Sequence, residues 1–422
     1  MNAVERIVRA IGLTLGLAFS SVSLAQNVIS DWHAVMESTV AATGRKNVVA
    51  LPYFAYVDVA MYDAVNSIDG RFRPFAVGVY APRGASKDAA AATAAHDVLV
   101  HYFPAQAATF DASLTTSLAA IADGQSKTDG INVGKSVAAQ WLALRTGDGL
   151  EAAITYTPGN GPGIWQPVPT YPAPPPNTPP APVGFWMTQF KPFAMSRADQ
   201  FLADVHPPLV LTSKTWAQDY NLTKNYGALN STVRTAAQGE IGLFWTDNAA
   251  SQYSRSFRGL VVSQALDATA AARLAAMYSV AASDAGTACM NAKYHFAFWR
   301  PYTAIHDGDT DGNPDTVADP TWVPLAVTPG HPEYPANHGC VTEAVMDAFT
   351  EFFDTDEIPY SVSSVVTGTT HNFTSFENVV QEVDNARIFG GMHFRHSVKE
   401  GNRLGRRVAE YIFKNHFRPK ED

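Results

Sequence analysis

Apolar positions recur at three- and four-residue steps along most of this chain, the spacing that gives a helix one buried face. The stretch "YFAYVDVAMYDAVNSI" (53–68) carries Val57, Met61, Ala64, Val65 and Ile68 on such a face. Two alanine-rich helical runs follow, "SKDAAAATAAHDVLVHYF" and "SVAAQWLALRTGDG", the second closing in the glycines that stop helices. Helices resume from "LTSKTWAQDYNLTKNYGALNSTVRTAAQGEIGLFWTD", with Ser213 and Ser231 as N-caps. A long helix starting near Ala268 leads to "NAKYHFAFWRP", where Pro301 ends or kinks it, and two more are expected over about 339–353 and 376–413. Few segments alternate as strands do, so the expected fold is all-α.

One segment breaks the helical rhythm. Residues 158–182, "PGNGPGIWQPVPTYPAPPPNTPPAP", have an extended, polyproline-like composition. By composition this is a linker; Trp165 and Tyr171 within it, and Phe185 and Trp186 after it, point instead to a strap packed through its aromatics. It falls in an N-terminal half, 26–205, that precedes a C-terminal half, 206–422.

The N-terminus reads as a secretory signal over residues 1–25: Arg6 and Arg9 precede the apolar "AIGLTLGLAF", and Ser23 and Ala25 offer small residues for cleavage before Gln26. That apolar run is shorter than the ~20 residues a membrane span needs, and no later segment reads as a span. Export to the periplasm or beyond is therefore expected. A length of 422 residues with 46% hydrophobic and 16% charged content supports a large core, and a formal charge of −9 argues against a nucleic-acid partner. In an oxidising compartment Cys289 and Cys340 either form a disulfide or stay as two buried thiols.

Four stretches carry candidate chemistry. Lys293 and Arg300 are seven apart, which on one helix places them on the same face, and the apolar "YHFAFW" between them marks that face as buried. A solvated basic face is the ordinary reading of such a pair, but buried cations need a counter-ion. In "ARIFGGMHFRH", Arg387 and His393 are six apart and flank Gly390 and Gly391, which allow close approach of backbone or ligand. "PANHG" (335–339) is a helix-entry turn whose free N–H groups attract anions, and turn chemistry accounts for all of it except His338. In "DGDTDGNPD", Asp307, Asp309, Asp311, Asn313 and Asp315 have calcium-loop spacing, yet Ala318 stands where a bidentate acid belongs, so an acidic surface turn is the stronger reading.

Together, "KYHFAFWRP", "PANH" and "ARIFGGMH" resemble the three-part signature of the vanadium-dependent haloperoxidase and type 2 phosphatidic acid phosphatase superfamily, K-x6-R-P, P-S-G-H and S-R-x5-H. "MYDAVNSI", "KPF", "DYNLTKNYGALNSTVRTA" and "HPEYP" are similar to its bacterial haloperoxidase-like branch. The resemblance implies two packed helical bundles and a vanadate or phosphate site. Lys293, Arg300 and Arg387 would cradle the oxyanion, with Ala336, Asn337 and His338 beside it. His393 would be the vanadium ligand, or the phosphohistidine of a phosphatase. His338 would be the acid–base group, and Lys293 would polarise peroxide.

The implied reactants are hydrogen peroxide, halide and a small organic acceptor. Acid phosphatase action on a phosphate ester is the alternative, and an oxyanion-binding protein without turnover a third reading; a homo-oligomer is compatible with each. Three departures stand out: Ala336 and Asn337 replace Ser and Gly, Ala386 replaces the Ser before Arg387, and no Asp follows His393, where "FRHS" places His396 and Ser397.

Overall fold

The computed structural model describes residues 27–168 and 181–420, so the expected signal segment 1–25 and Tyr171 of the strap lie outside the described residues. Among the described residues the regular structure is helical apart from one hairpin, with irregular chain between the helices. Its helices are α1 (Val28–Ala42), α2 (Leu51–Asp69), α3 (Lys87–Tyr102), α4 (Ala107–Ala119), α5 (Gln125–Leu144), α6 (Lys214–Gly227), α7 (Ala236–Phe244) and α8 (Ala249–Ser263). They continue with α9 (Ala268–Phe296), α10 (Pro301–His306), α11 (Asn337–Phe353), α12 (Phe376–Phe389) and α13 (Arg395–Asn415). The hairpin pairs β1 (Tyr360–Ser363) antiparallel with β2 (Thr370–Phe373).

Two helices form the axis of the core. α2 was expected to bury one face, but residues from Leu51 to Asn66 are buried all round, because α9, α3 and α5 pack on different sides of it. The 23 residues Asn47–Asp69 are in fact long and apolar enough to cross a membrane, contrary to the expectation that no later segment is. Since 94% of an 18-residue window within that stretch is buried, its apolarity serves the core. α9, capped by Asp267, is likewise buried over most of its length and packs on α2, α11 and α13.

Two helices end where the sequence periodicity continued. α9 stops at Phe296 with Ala297 left-handed (φ 46°), and Arg300 caps α10, so Lys293 and Arg300 do not share a helix face as expected. Proline at 301 cannot supply an N–H to continue α9, which suits it to open a new helix. The helix expected over 376–413 is two, because the chain turns at Gly390 and Gly391, the latter at φ 72°. Gly391 packs backbone to backbone against Gly227 at the end of α6, so the glycine pair admits main chain and not a ligand. Ser213 caps α6 as expected. Thr235, in a capping box with Gln238, caps the next helix, while Ser231 sits in the preceding turn.

The described part of the strap packs on the C-terminal end of α9. Trp165 is fully buried and its backbone N–H donates to the Ala297 carbonyl at 2.7 Å, while Phe185 packs edge-on against Tyr294. Cys289 of α9 and Cys340 of α11 are joined by a disulfide, with their Cα atoms 6.3 Å apart. α13 lies against α11 through Gly401 and Gly405, where an added Cβ would overlap the carbonyl oxygens of Ala336 and Cys340.

Those two glycines set how close α13 comes to the start of α11. Gly405→Ala should destabilise the protein by about 1–3 kcal/mol through overpacking. A thermal melt of the oxidised protein checks this, and an unchanged Tm would contradict it.

Candidate active site

Lys293, Arg300, Arg387 and His393 come from four different segments, and all are buried. Lys293 leaves the last turn of α9 and donates to the carbonyls of Pro332 and Glu333 at 3.0 and 2.9 Å. Arg300 donates to the carbonyls of His331 and Met392 at 2.9 and 3.0 Å, and to His331 Nδ1 at 3.0 Å. Arg387, in the last turn of α12, donates to the Trp245 carbonyl at 2.9 Å. Its Nε has no hydrogen-bond partner among the described residues.

Against these three cations the site offers one carboxylate, Glu333, fully buried itself. Burial is the main cause of every shift here. It holds Lys293 well below its usual value, with Arg300 adding to the effect. It lowers Arg300 to about 10 and Arg387 to about 9, the latter with help from Arg300. Burial raises Glu333 to about 7, against the pull of Lys293 and Arg300. The carboxyl is therefore half-neutral where the arginines are charged, and the cluster keeps a positive excess that favours an anion.

The histidines are neutral in this field. His393, His338 and His331 are all pushed well below their usual range by burial and then by the neighbouring cations. His393 Nδ1 lies 2.8 Å from Glu333 Oε1, so its N–H donates there. Nε2 is left with its lone pair, which accepts from Arg300 Nη1 at 3.1 Å. This tautomer presents an unprotonated ring nitrogen beside the cations, which suits a metal ligand or a nucleophile equally.

Glu333 is the residue the sequence reading missed. No Asp follows His393, and the orienting acid comes instead from "HPEYP", where Glu333 also accepts from the Phe394 N–H at 3.0 Å. The available signal was a lone acid between Pro332 and Tyr334 in an apolar stretch that cannot be helical. His396 and Ser397, which occupy the positions after His393, serve the turn: the His396 N–H donates to Asp219, and Ser397 Oγ donates to the Glu333 carbonyl. His331, also missed, holds Arg300 through both its ring and its carbonyl.

His338 is the least enclosed of the group, in the first turn of α11. The Trp245 backbone, which accepts from Arg387, also pulls the His338 ring slightly back up against the stronger lowering by burial and the cations. Ala336 is the N-cap of α11 and gives no side-chain cap, which leaves the first-turn N–H groups without that partner. Asn337 is buried, and its Nδ2 has no hydrogen-bond partner among the described residues. Ala386 is buried beside Arg387 and offers no polar atom.

The structure gives the calcium alternative for 307–315 no support. Asp311 accepts from Trp216 Nε1 at 2.7 Å, from Thr316 Oγ1 at 2.8 Å and from the Asn313 N–H at 2.8 Å. Asn313 donates to the carbonyls of Leu211 and Ser213, and Asp309 accepts from the Ala318 N–H. These oxygens knit the loop to α6 and do not converge on a cation. Among the described residues no group of three or more His, Cys, Asp or Glu is arranged to hold a metal ion.

Residues 273–420 match the family model of the VCPO second helical-bundle domain, the part that holds every site residue named above except Trp245. The vanadium chloroperoxidase of Curvularia inaequalis is 27% identical over 234 residues, which are 48% of this chain but only 36% of that relative's length. A crystal structure of a bacterial vanadium-dependent iodoperoxidase superposes with a TM-score of 0.74 at 20% identity, covering 94% of this chain and 96% of that one. A holo-type bacterial vanadium-dependent chloroperoxidase gives 0.67 at 17% identity, covering 87% and 92%. The structural likenesses establish the shared fold.

The shift of Glu333 predicts how anion binding depends on pH. Below about 7 its carboxyl is neutral and the cations act unopposed; above, it ionises and cancels part of their charge. Sulfate, whose own charge is constant in this range, should therefore bind on the order of tenfold more weakly at about pH 8 than at about pH 6. Glu333→Gln should flatten that dependence. Calorimetric titration of both proteins checks it.

Proposed function

We propose that this member of the vanadium haloperoxidase superfamily is an enzyme that oxidises halide with hydrogen peroxide at a histidine-bound vanadate. The observation that carries the reading is the buried excess of positive charge around the unprotonated Nε2 of His393. The orphaned donor Arg387 Nε and the two cations beside it fit a tetrahedral oxyanion, so Lys293, Arg300 and Arg387 would hold vanadate and His393 would ligate it. When bound, vanadate supplies a Lewis acid that activates peroxide.

The protein's own groups do the rest. Glu333 keeps the proton on Nδ1 of His393 and so keeps Nε2 available. Arg300 Nη1, which now donates to Nε2, has to yield that position to a ligand, while its contacts with His331 hold the guanidinium close by. Lys293 retains one N–H beyond the two given to backbone carbonyls, and this can polarise an oxygen of bound peroxide. His338, neutral and less enclosed, is placed to take the peroxide proton. Export through residues 1–25 belongs to the same reading, and the Cys289–Cys340 bridge supports it, since such bonds persist in oxidising compartments.

One observation favours a second reading. An imidazole with Nδ1 held by a carboxylate and Nε2 unprotonated is equally a nucleophile, so hydrolysis of a phosphate ester through a phosphohistidine uses the same pocket, where His338 would first have to gain a proton to serve the leaving group.

Purified protein assayed with and without vanadate separates the two. Peroxide-driven halogenation that requires vanadate is the expected result, whereas aryl phosphate hydrolysis inhibited by vanadate would establish the phosphatase. His393→Ala should abolish whichever activity is found, and activity surviving in that variant would defeat the site assignment. Glu333→Ala should lower vanadate affinity by about 10–100-fold, the usual cost of losing a carboxylate behind a ligand histidine.

A further inference from the structure

Met392, which immediately precedes His393, is tied to the cation cluster by three contacts. Its carbonyl accepts from Arg300 Nη1 at 3.0 Å, its backbone N–H donates to the Arg387 carbonyl at 3.1 Å, and its Sδ accepts from Arg387 Nη2 at 3.6 Å. The side chain is 4% exposed. Its methyl end rests where Gly390 has no side chain, since a Cβ there would lie 2.9 Å from Met392 Cε. The thioether is therefore fixed against the guanidinium.

Sulfur is a poor match for that donor. A thioether accepts only weakly, and buried polar groups are ordinarily matched with oxygen acceptors. Of the Arg387 nitrogens, Nη1 has the Trp245 carbonyl, Nε has no partner among the described residues, and Nη2 has this sulfur. The contact thus leaves the guanidinium open to a better acceptor. The same sulfur is polarisable and oxidisable, and the proposed reaction brings hydrogen peroxide to these cations.

We propose that Met392 is a self-oxidation site: peroxide held at the cation cluster converts its thioether to the sulfoxide, and the sulfoxide closes the oxyanion site. This rests on the haloperoxidase reading, which supplies the peroxide. A sulfur lone pair forms the S–O bond as the O–O bond breaks, so sulfur is oxidised and peroxide reduced. The second oxygen leaves as water with both of the peroxide protons. The new oxygen sits one bond from a sulfur that Arg387 Nη2 already contacts, and as a strong acceptor it claims that donor from an incoming oxyanion. Excess peroxide then limits its own turnover, and reduction of the sulfoxide reverses the block.

The test treats wild-type protein with vanadate and hydrogen peroxide and omits halide, so that no oxidised halogen attacks methionines at large. Peptide mass spectrometry should find oxygen added at Met392 about tenfold faster than at Met195, which is equally buried but is held through its backbone by Asp284. After vanadate is removed, sulfate should bind the treated protein about tenfold more weakly than the untreated protein by calorimetry, the worth of one hydrogen bond to a charged group. Met392→Leu, which removes the sulfur at nearly constant volume, should keep its own untreated sulfate affinity through the same treatment. In a protein that halogenates, Met392 oxidised no faster than Met195 would overturn the inference. So would treated wild type that binds sulfate as before, or treated Met392→Leu that loses binding. Wild-type protein without vanadate-dependent halogenation would overturn the haloperoxidase reading, and this inference would lose its oxidant with it.

Discussion

Three cations buried around a single carboxylate are the constraint on which the rest of this structure depends. Water is excluded from Lys293, Arg300 and Arg387, so something else must solvate them, and the fold uses main-chain carbonyls. Those of His331, Pro332, Glu333, Met392 and Trp245 accept from the three side chains. Helical carbonyls are already committed to their own ladders, so these acceptors have to come from irregular chain. The 331–336 and 390–394 turns and the end of α7 are therefore the parts that cannot be regular. The helices around them exist to hold that irregular backbone still.

Rigidity comes from close packing of small residues and one covalent link. Gly401 and Gly405 let α13 settle against α11, and the Cys289–Cys340 disulfide ties the same part of α11 to α9, four residues before Lys293. The strap adds a lid of aromatic packing at the point where α9 ends and the cations diverge. Gly227 and Gly391 bring α6 against the turn that carries His393. The precision of the site thus depends on backbone approach at a few glycines as much as on the charged groups.

The losses relative to the superfamily signature are met from elsewhere. The orienting acid absent after His393 is replaced by Glu333, from a segment 60 residues earlier in the chain. The hydroxyl absent at 336 has no direct substitute, but the neighbouring Asn337 brings an amide whose Nδ2 has no hydrogen-bond partner among the described residues. Arg387 keeps its place without a serine before it because Trp245 accepts from it.

By itself the sequence determined the all-helical character, the cap at Ser213, and the identity of the cationic and histidine side chains. Each of these is written within a few residues, as periodicity, a capping side chain or a short motif. Where helices stop was already less legible: local periodicity carried Lys293 onto the same face as Arg300, and ran 376–413 as one helix. A left-handed Ala297 and a Gly390–Gly391 turn packed on Gly227 divided them. The pairing of Glu333 with His393, the grip of His331 on Arg300, the Trp245 carbonyl that accepts from Arg387, and the bridge between Cys289 and Cys340 were decided only in three dimensions. Each joins segments tens of residues apart or more. Such partnerships depend on how the chain returns on itself, and a local pattern carries no record of that.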